Sequence, residues 1–204
     1  KIRETGINNI NVIRGYKKNV FPELGVQYLD NDLFDSTGEL SSLNVALDKI
    51  NGECLISYGD IVYKKYILNL LKDSNADISI IVDSKLGNRS KDYAGDFVEC
   101  SEEDGHVFSQ GTTTLLRTSL AKMNDCSLKI MGEWIGLLRA NEAGSMAIQK
   151  AMKDLSQKEN FHAMKMGDLL NHLIANGIKI GVNYIQGHWM DIDNFKDFEK
   201  VQVF

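Results

Sequence analysis

Short apolar runs alternate along the chain with longer stretches whose apolar residues recur every three to four positions. Ile10 to Ile13, Glu53 to Ser57, Ile78 to Val82, Trp134 to Leu138 and Ile178 to Tyr184 are rich in Ile and Val, which predicts strands buried on both faces. Between them, Leu43 to Ile50, Tyr63 to Leu71, Glu142 to Leu155, Met166 to Ala175 and Asn194 to Val201 carry the amphipathic spacing of helices packed on a sheet. Strand and helix in alternation predict an α/β domain with a Rossmann-like, mostly parallel twisted sheet flanked by helices. Met146, Ile148, Met152 and Leu155 fall near helical spacing, and Met in such a row reads as core filler rather than as a ligand set. Gly177, directly after Leu173-Ile174-Ala175-Asn176, closes the next helix.

Between Ser84 and Ile130 the pattern breaks into short segments, Asp96 to Cys100, His106 to Phe108 and Thr112 to Leu116, separated by polar turns. They predict an antiparallel flap or insertion, 84–130, beside the main sheet. No internal repeat and no linker divides the chain, so one domain is expected over 1–204. The opening Lys1-Ile2-Arg3-Glu4-Thr5-Gly6 reads as the last turn of a helix closed by Gly, as in a domain whose beginning lies upstream.

Composition narrows the classes of function. With 204 residues, 43% of them hydrophobic, and a single Pro, the chain can bury one sizeable core. A net charge of -5 provides no basic footprint for a nucleic-acid backbone or an anionic membrane surface. No apolar run approaches the roughly 20 residues that cross a bilayer, and the start lacks the apolar stretch of a signal peptide. The chain therefore reads as soluble and cytoplasmic. Cys54, Cys100 and Cys126, odd in number and widely spaced, fit neither a disulfide framework nor a zinc site, and read as idle thiols.

In open α/β sheets ligands bind beyond the carboxyl ends of strands, so polar residues that directly follow apolar runs carry the information. Cys54-Leu55-Ile56-Ser57 leads into Tyr58-Gly59-Asp60, which delivers a close-approach Gly and then a carboxylate to the exit edge. Asp60 there serves either as a hard ligand for Mg2+ or as the N-cap of the following helix. Further on, Trp189-Met190-Asp191-Ile192-Asp193 places two carboxylates on one face of an extended segment. Asp193 could also cap the helix from Asn194, and Asp191 could be solvated. Together with Asp60 the pair supplies two or three carboxylates from separate strand ends. That is enough to hold one Mg2+ whose other ligands are water and substrate phosphates, and it points to phosphoryl or nucleotidyl transfer. A third place, Met131-Gly132-Glu133-Trp134-Ile135-Gly136, puts an acid and an aromatic at the opening of a strand. Trp134 is either core or the wall of a cleft in which Glu133 meets a cationic or hydroxylated group.

These residues resemble a known superfamily. Asn9-Ile10-Asn11-Val12-Ile13-Arg14-Gly15-Tyr16 is similar to the second strand of the sugar-nucleotidyltransferase fold, Ser57-Tyr58-Gly59-Asp60 to its metal-binding strand end, and Trp189-Met190-Asp191-Ile192-Asp193 to its second metal motif. Thr37 to Ala46, Tyr93 to Glu99, Gly132 to Leu137 and Gly187-His188-Trp189 together look most like phosphonate cytidylyltransferases. These are domains fused to, or encoded beside, phosphoenolpyruvate mutase, with phosphocholine cytidylyltransferases as near relatives. The resemblance implies transfer of CMP from CTP to a phosphonate such as 2-aminoethylphosphonate or 2-hydroxyethylphosphonate, with Mg2+ as cofactor and pyrophosphate as product. It implies Asp60, Asp191 and Asp193 as metal-binding catalytic residues and Ser42, Tyr58 and Gly59 beside the nucleotide. Glu133, Trp134, Asp168, His188 and Trp189 would serve the acceptor pocket. Association with phosphoenolpyruvate mutase and self-assembly into a homo-oligomer are compatible with it.

One departure stands out. The family opens with a Gly-rich loop, GxGxRxxxxxPK, that cradles the nucleotide phosphates, whereas the single proline here, Pro22, precedes Glu23. The first strand, this loop and most of the first helix are therefore expected upstream of Lys1. A phosphocholine or hexose-1-phosphate transferase, and a non-catalytic remnant of the same fold, are the competing readings.

Overall fold

The computed structural model describes residues 2–87, 90, 92–105, 112–192, 194–201 and 204. A single turn of 3-10 helix, Arg3–Thr5, ends at Gly6 with φ 89°, as the opening residues predict. The first two strands, β1 (Asn11–Arg14) and β2 (Gln27–Asp30), pair in parallel as a separate ribbon, and helix α1 (Glu39–Val45) follows. Then come β3 (Cys54–Ser57), β4 (Ile61–Tyr63), α2 (Lys65–Lys72) and β5 (Ile78–Asp83). A hairpin of β6 (Ala94–Cys100) and β7 (Leu115–Lys122) precedes β8 (Gly132–Ala140), α3 (Glu142–Ser156) and α4 (Met166–Ala175). The chain closes with β9 (Ile180–Ile185), β10 (Trp189–Asp191) and α5 (Phe195–Val201).

The α/β class and the flanking helices agree with the hydrophobic pattern, but the sheet is mixed rather than mostly parallel. β5 and β9 run parallel, whereas β8 lies between β5 and β3 and runs antiparallel to both. An apolar run reports burial on both faces and carries no information on strand direction. The hairpin is antiparallel, as the 84–130 segment predicts, and it joins the sheet. Phe97 pairs with Glu133 and Val98 with Gly132, so β6 hydrogen-bonds into the six-stranded sheet through β8. The His106-Val107-Phe108 segment lies outside the described residues.

Core residues alternate across the sheet. From β5 and β8, Ile78, Ile80, Val82, Trp134 and Leu138 face one layer with α3 and α4, which contribute Ile148, Met152, Leu155, Met166, Leu169 and Leu173. Ile81, Ile135 and Leu137 face the other layer with Ile67, Leu68 and Leu71 of α2. Of the methionines expected in the core, Met152 is buried whereas Met146 is exposed on the outer side of α3. All three cysteines are free thiols. Among the described residues no helix is long and apolar enough to cross a membrane.

One gap interrupts this packing. A cavity of about 1190 Å³ lies between β1 and β3, lined by Ile10, Val12, Leu43, Cys54 and Ile56 among others. Among the described residues β1 pairs only with β2 and β3 only with β8, so each presents an unpaired backbone edge. Asn11 Oδ1 is buried beside this space without a hydrogen-bond partner.

Candidate active site

The site is built at the end of the sheet where β3 leaves it. Tyr58 follows β3 and donates its backbone N–H to the carbonyl of Gly136, 2.9 Å away. Gly136 has φ 78° and sits at an irregularity of β8, where the β5–β8 register shifts between Ile80 and Val82. A Cβ at Gly136 would overlap the Tyr58 ring, so only Gly satisfies both the backbone conformation and the close approach. The bulge seats Tyr58 against Trp134, their ring centroids 5.3 Å apart, and the Trp134 indole N–H donates to the Leu137 carbonyl at 3.1 Å.

Asp60 follows immediately. It is not a helix cap: β4 intervenes, and the N-cap of α2 is Lys64, which makes no side-chain cap bond. Instead β4 pairs antiparallel with β10, placing Asp191 opposite Ile61, and the Ile192 N–H donates to the Asp60 carbonyl at 2.9 Å. Two segments about 130 residues apart are thereby joined, and Asp60 and Asp191 line one cleft of about 210 Å³ with Tyr58, Tyr93, Gly95, Asp96, Glu133, Trp134 and Trp189. Asp193 lies outside the described residues, and the helix after it is capped by Asn194, whose side chain accepts from the Lys196 and Asp197 N–H groups. Among the described residues no group of three His, Cys, Asp or Glu side chains is arranged to hold a metal. Asp60 and Asp191 are a pair of hard oxygen donors, the set Mg2+ takes when waters and substrate phosphates complete its shell.

Two residues that sequence reasoning did not single out give the cleft its electrostatics. Asp96, on β6, has its carboxyl pushed up to about 6, first by burial and then by the charges of Glu39 and Asp191, against the lowering influence of the Tyr58 hydroxyl and Lys165. The Tyr58 hydroxyl donates to Glu39 Oε2 at 3.0 Å and lies 3.5 Å from Asp96 Oδ2. Burial and these two acids drive its own pKa far above the usual phenol value. Glu39 also accepts from the Met166 N–H and pairs with Lys165, which ties the N-terminus of α4 to the cleft. Glu133, 3% exposed, accepts from the Tyr93 hydroxyl at 2.7 Å. A Cβ on Gly95 would overlap the Glu133 carboxylate and the Tyr93 ring, so the cleft floor is open because position 95 has no side chain. Like charges held together at partial burial cost stability, and a cation or donor group bound among them would offset that cost.

Of the other anticipated site residues, Ser42, Gly59, Asp168 and His188 are not among those lining this cleft. Ser42, on α1, accepts from Asn31 Nδ2. Asp168 is the third residue of α4 and accepts from the Lys165 N–H in a capping box, a local task that its position after Lys165-Met166 explains. His188 lies in the turn before β10 and bonds the Tyr66 hydroxyl at 2.8 Å. Gly59 borders the large cavity, and Tyr58 borders both spaces.

The mixed sheet with helices on both sides is shared with solved structures of known proteins. The chain superposes with a TM-score of 0.72 on the CTP:phosphocholine cytidylyltransferase of Streptococcus pneumoniae, at 16% identity over 99% of this chain and 80% of that one. The inositol-1-phosphate CTP transferase of T. maritima also superposes with a TM-score of 0.72, at 12% identity over 98% of this chain and 78% of that one. In sequence the chain is similar to the CTP:phosphoglutamine cytidylyltransferase of Campylobacter jejuni, 25% identical over 99% of this chain and 83% of that protein. No family model matches.

Proposed function

We propose that the protein is a cytidylyltransferase that moves CMP from CTP to a small phosphonate bearing an amino group, 2-aminoethylphosphonate being the representative acceptor, with release of pyrophosphate. The observation that carries this reading is the cleft itself, where Asp60 and Asp191 meet Asp96, Glu133 and an aromatic wall. The likeness to two proteins named as cytidylyltransferases supports the donor.

In this reading an acceptor oxygen, already anionic near neutral pH, attacks the α-phosphorus of CTP in line. The bond from that phosphorus to the bridging oxygen of the β-phosphate breaks, and pyrophosphate carries the electron pair away. No general base is required, so the residues act by alignment and by charge placement. Asp60 and Asp191 would hold Mg2+, which when bound neutralises charge on the triphosphate. Asp96 and Glu133 receive the ammonium group, with Trp134, Trp189 and Tyr93 as its aromatic walls. A hexose would instead need several neutral hydroxyl partners, which this acidic lining supplies poorly.

The same reading extends to an association with phosphoenolpyruvate mutase in phosphonate biosynthesis.

The deciding experiment measures pyrophosphate release over a grid of nucleoside triphosphates against 2-aminoethylphosphonate, 2-hydroxyethylphosphonate, phosphocholine and glucose 1-phosphate, using the chain with its natural flanking sequence. CTP with 2-aminoethylphosphonate is expected to turn over fastest. Preference for glucose 1-phosphate would refute the acceptor assignment, and no turnover with any pair would favour the non-catalytic reading.

A further inference from the structure

Asp83 belongs to none of the groups named so far. It ends β5, is 3% exposed, and both its oxygens are engaged. Oδ1 accepts from the Lys85 N–H and the Gly187 N–H, each at 2.9 Å, and Oδ2 accepts from the Trp189 indole N–H at 2.8 Å. All three partners are donors, the set an ionised carboxylate satisfies and a neutral amide cannot, because an amide nitrogen facing one of them would oppose donor to donor.

What Asp83 grips is the turn that feeds the cleft. Ser84 N–H donates to the Ile185 carbonyl at 3.0 Å, so the chain leaves β9 beside Asp83 and turns through Gly187 with φ 82° and His188 with φ 66°. A non-glycine residue in the left-handed region persists only where its surroundings hold it. Here the Tyr66 hydroxyl bonds the His188 ring on one side and Asp83 bonds Gly187 and Trp189 on the other. Immediately after the turn, Trp189 walls the cleft and Asp191 enters it.

We infer that Asp83 is a positioning residue that locks the indole of Trp189 in the cleft and thereby sets affinity for the acceptor. The inference rests on the reading of this cleft as an acceptor site, and the test separates the two. Asp83→Asn and Trp189→Phe are made singly and together in the chain with its natural flanking sequence. The singly substituted Asp83→Asn is also placed in a Trp134→Phe background, so that Trp189 is the sole tryptophan. In that background, Asp83→Asn is expected to shift Trp189 emission to longer wavelength and increase its quenching by acrylamide, a readout that needs no substrate. With CTP and 2-aminoethylphosphonate, Asp83→Asn should raise the acceptor KM about tenfold, the scale of a hydrogen bond to a charged group. The KM for CTP should stay within about twofold. Adding Trp189→Phe, which has no indole donor, should leave little further effect of Asp83→Asn, because the two act as one unit. Unchanged emission and quenching would overturn the inference, as would equal rises in both KM values, additive effects in the double variant, or loss of folding in Asp83→Asn. Wild-type chain inactive on the acceptor with a shifted Trp189 signal would remove the acceptor reading and leave the indole lock standing.

Discussion

Replacing Asp96 by Asn separates the cost of the acidic cleft from its use. The folded state holds the Asp96 carboxyl at about 6, against an ordinary 3.8, chiefly through burial and the neighbouring Glu39 charge. A group whose folded pKa is raised binds its proton more tightly when folded. Its stabilising contribution is therefore complete below about pH 4 and is lost as pH rises through 6. At ~1.4 kcal/mol per pKa unit, a shift of this size makes ionised Asp96 cost ~2–3 kcal/mol above pH 7. Asn has no charge to desolvate and keeps an oxygen toward the Tyr58 hydroxyl. The variant should match wild type in urea unfolding at pH 4 and exceed it by up to ~2–3 kcal/mol at pH 7.5, with the difference opening between pH 4 and 6. Working on the pH-dependent difference between the two proteins cancels the titrating groups that do not interact with Asp96. The same substitution should weaken an ammonium-bearing acceptor, and wild-type acceptor KM should rise as pH falls below 6. A stability difference independent of pH, or an Asn variant less stable at pH 7.5, would refute the reasoning.

Asp60→Ala should lower CTP-dependent pyrophosphate release by on the order of 10² or more, since one preorganised electrostatic element is worth that much, while leaving the far-ultraviolet circular dichroism unchanged. Gly95→Ala should lower acceptor affinity more than CTP affinity and cost about 1–3 kcal/mol in thermal unfolding, because the added methyl drives into Glu133 and Tyr93.

Strands buried on both faces were legible because Ile78 to Val82 and Trp134 to Leu138 are large apolar residues at all positions but Ser79 and Gly136, and a run of that kind has few other uses. Direction was not, since side-chain burial is blind to whether β8 runs with or against β5. The short strand β4 escaped notice because three residues carry too little periodicity, and the extended run at Trp189 to Asp191 gave no sign of its partner; the pairing of the two makes them strands. Asp60 and Asp191 could be read from position, as acids directly after apolar runs. Asp96, Glu39 and Asp83 could not, for a different reason in each case. Asp96 sits mid-strand in β6, where an inward acid resembles any outward one in an alternating pattern, and only the pairing of Phe97 with Glu133 turns it toward the cleft. Glu39 opens α1 like an ordinary first-turn acid. Asp83 ends β5 and Asp60 lies just beyond the end of β3, yet all three Asp83 bonds go to the protein's own N–H groups. The two strand-end acids differ in what surrounds them: Asp83 is consumed by a turn contributed from a hundred residues away, whereas Asp60 opens onto the cleft. Sequence position can nominate a carboxylate, but whether it holds the protein or a ligand depends on the donors that the rest of the chain brings to it.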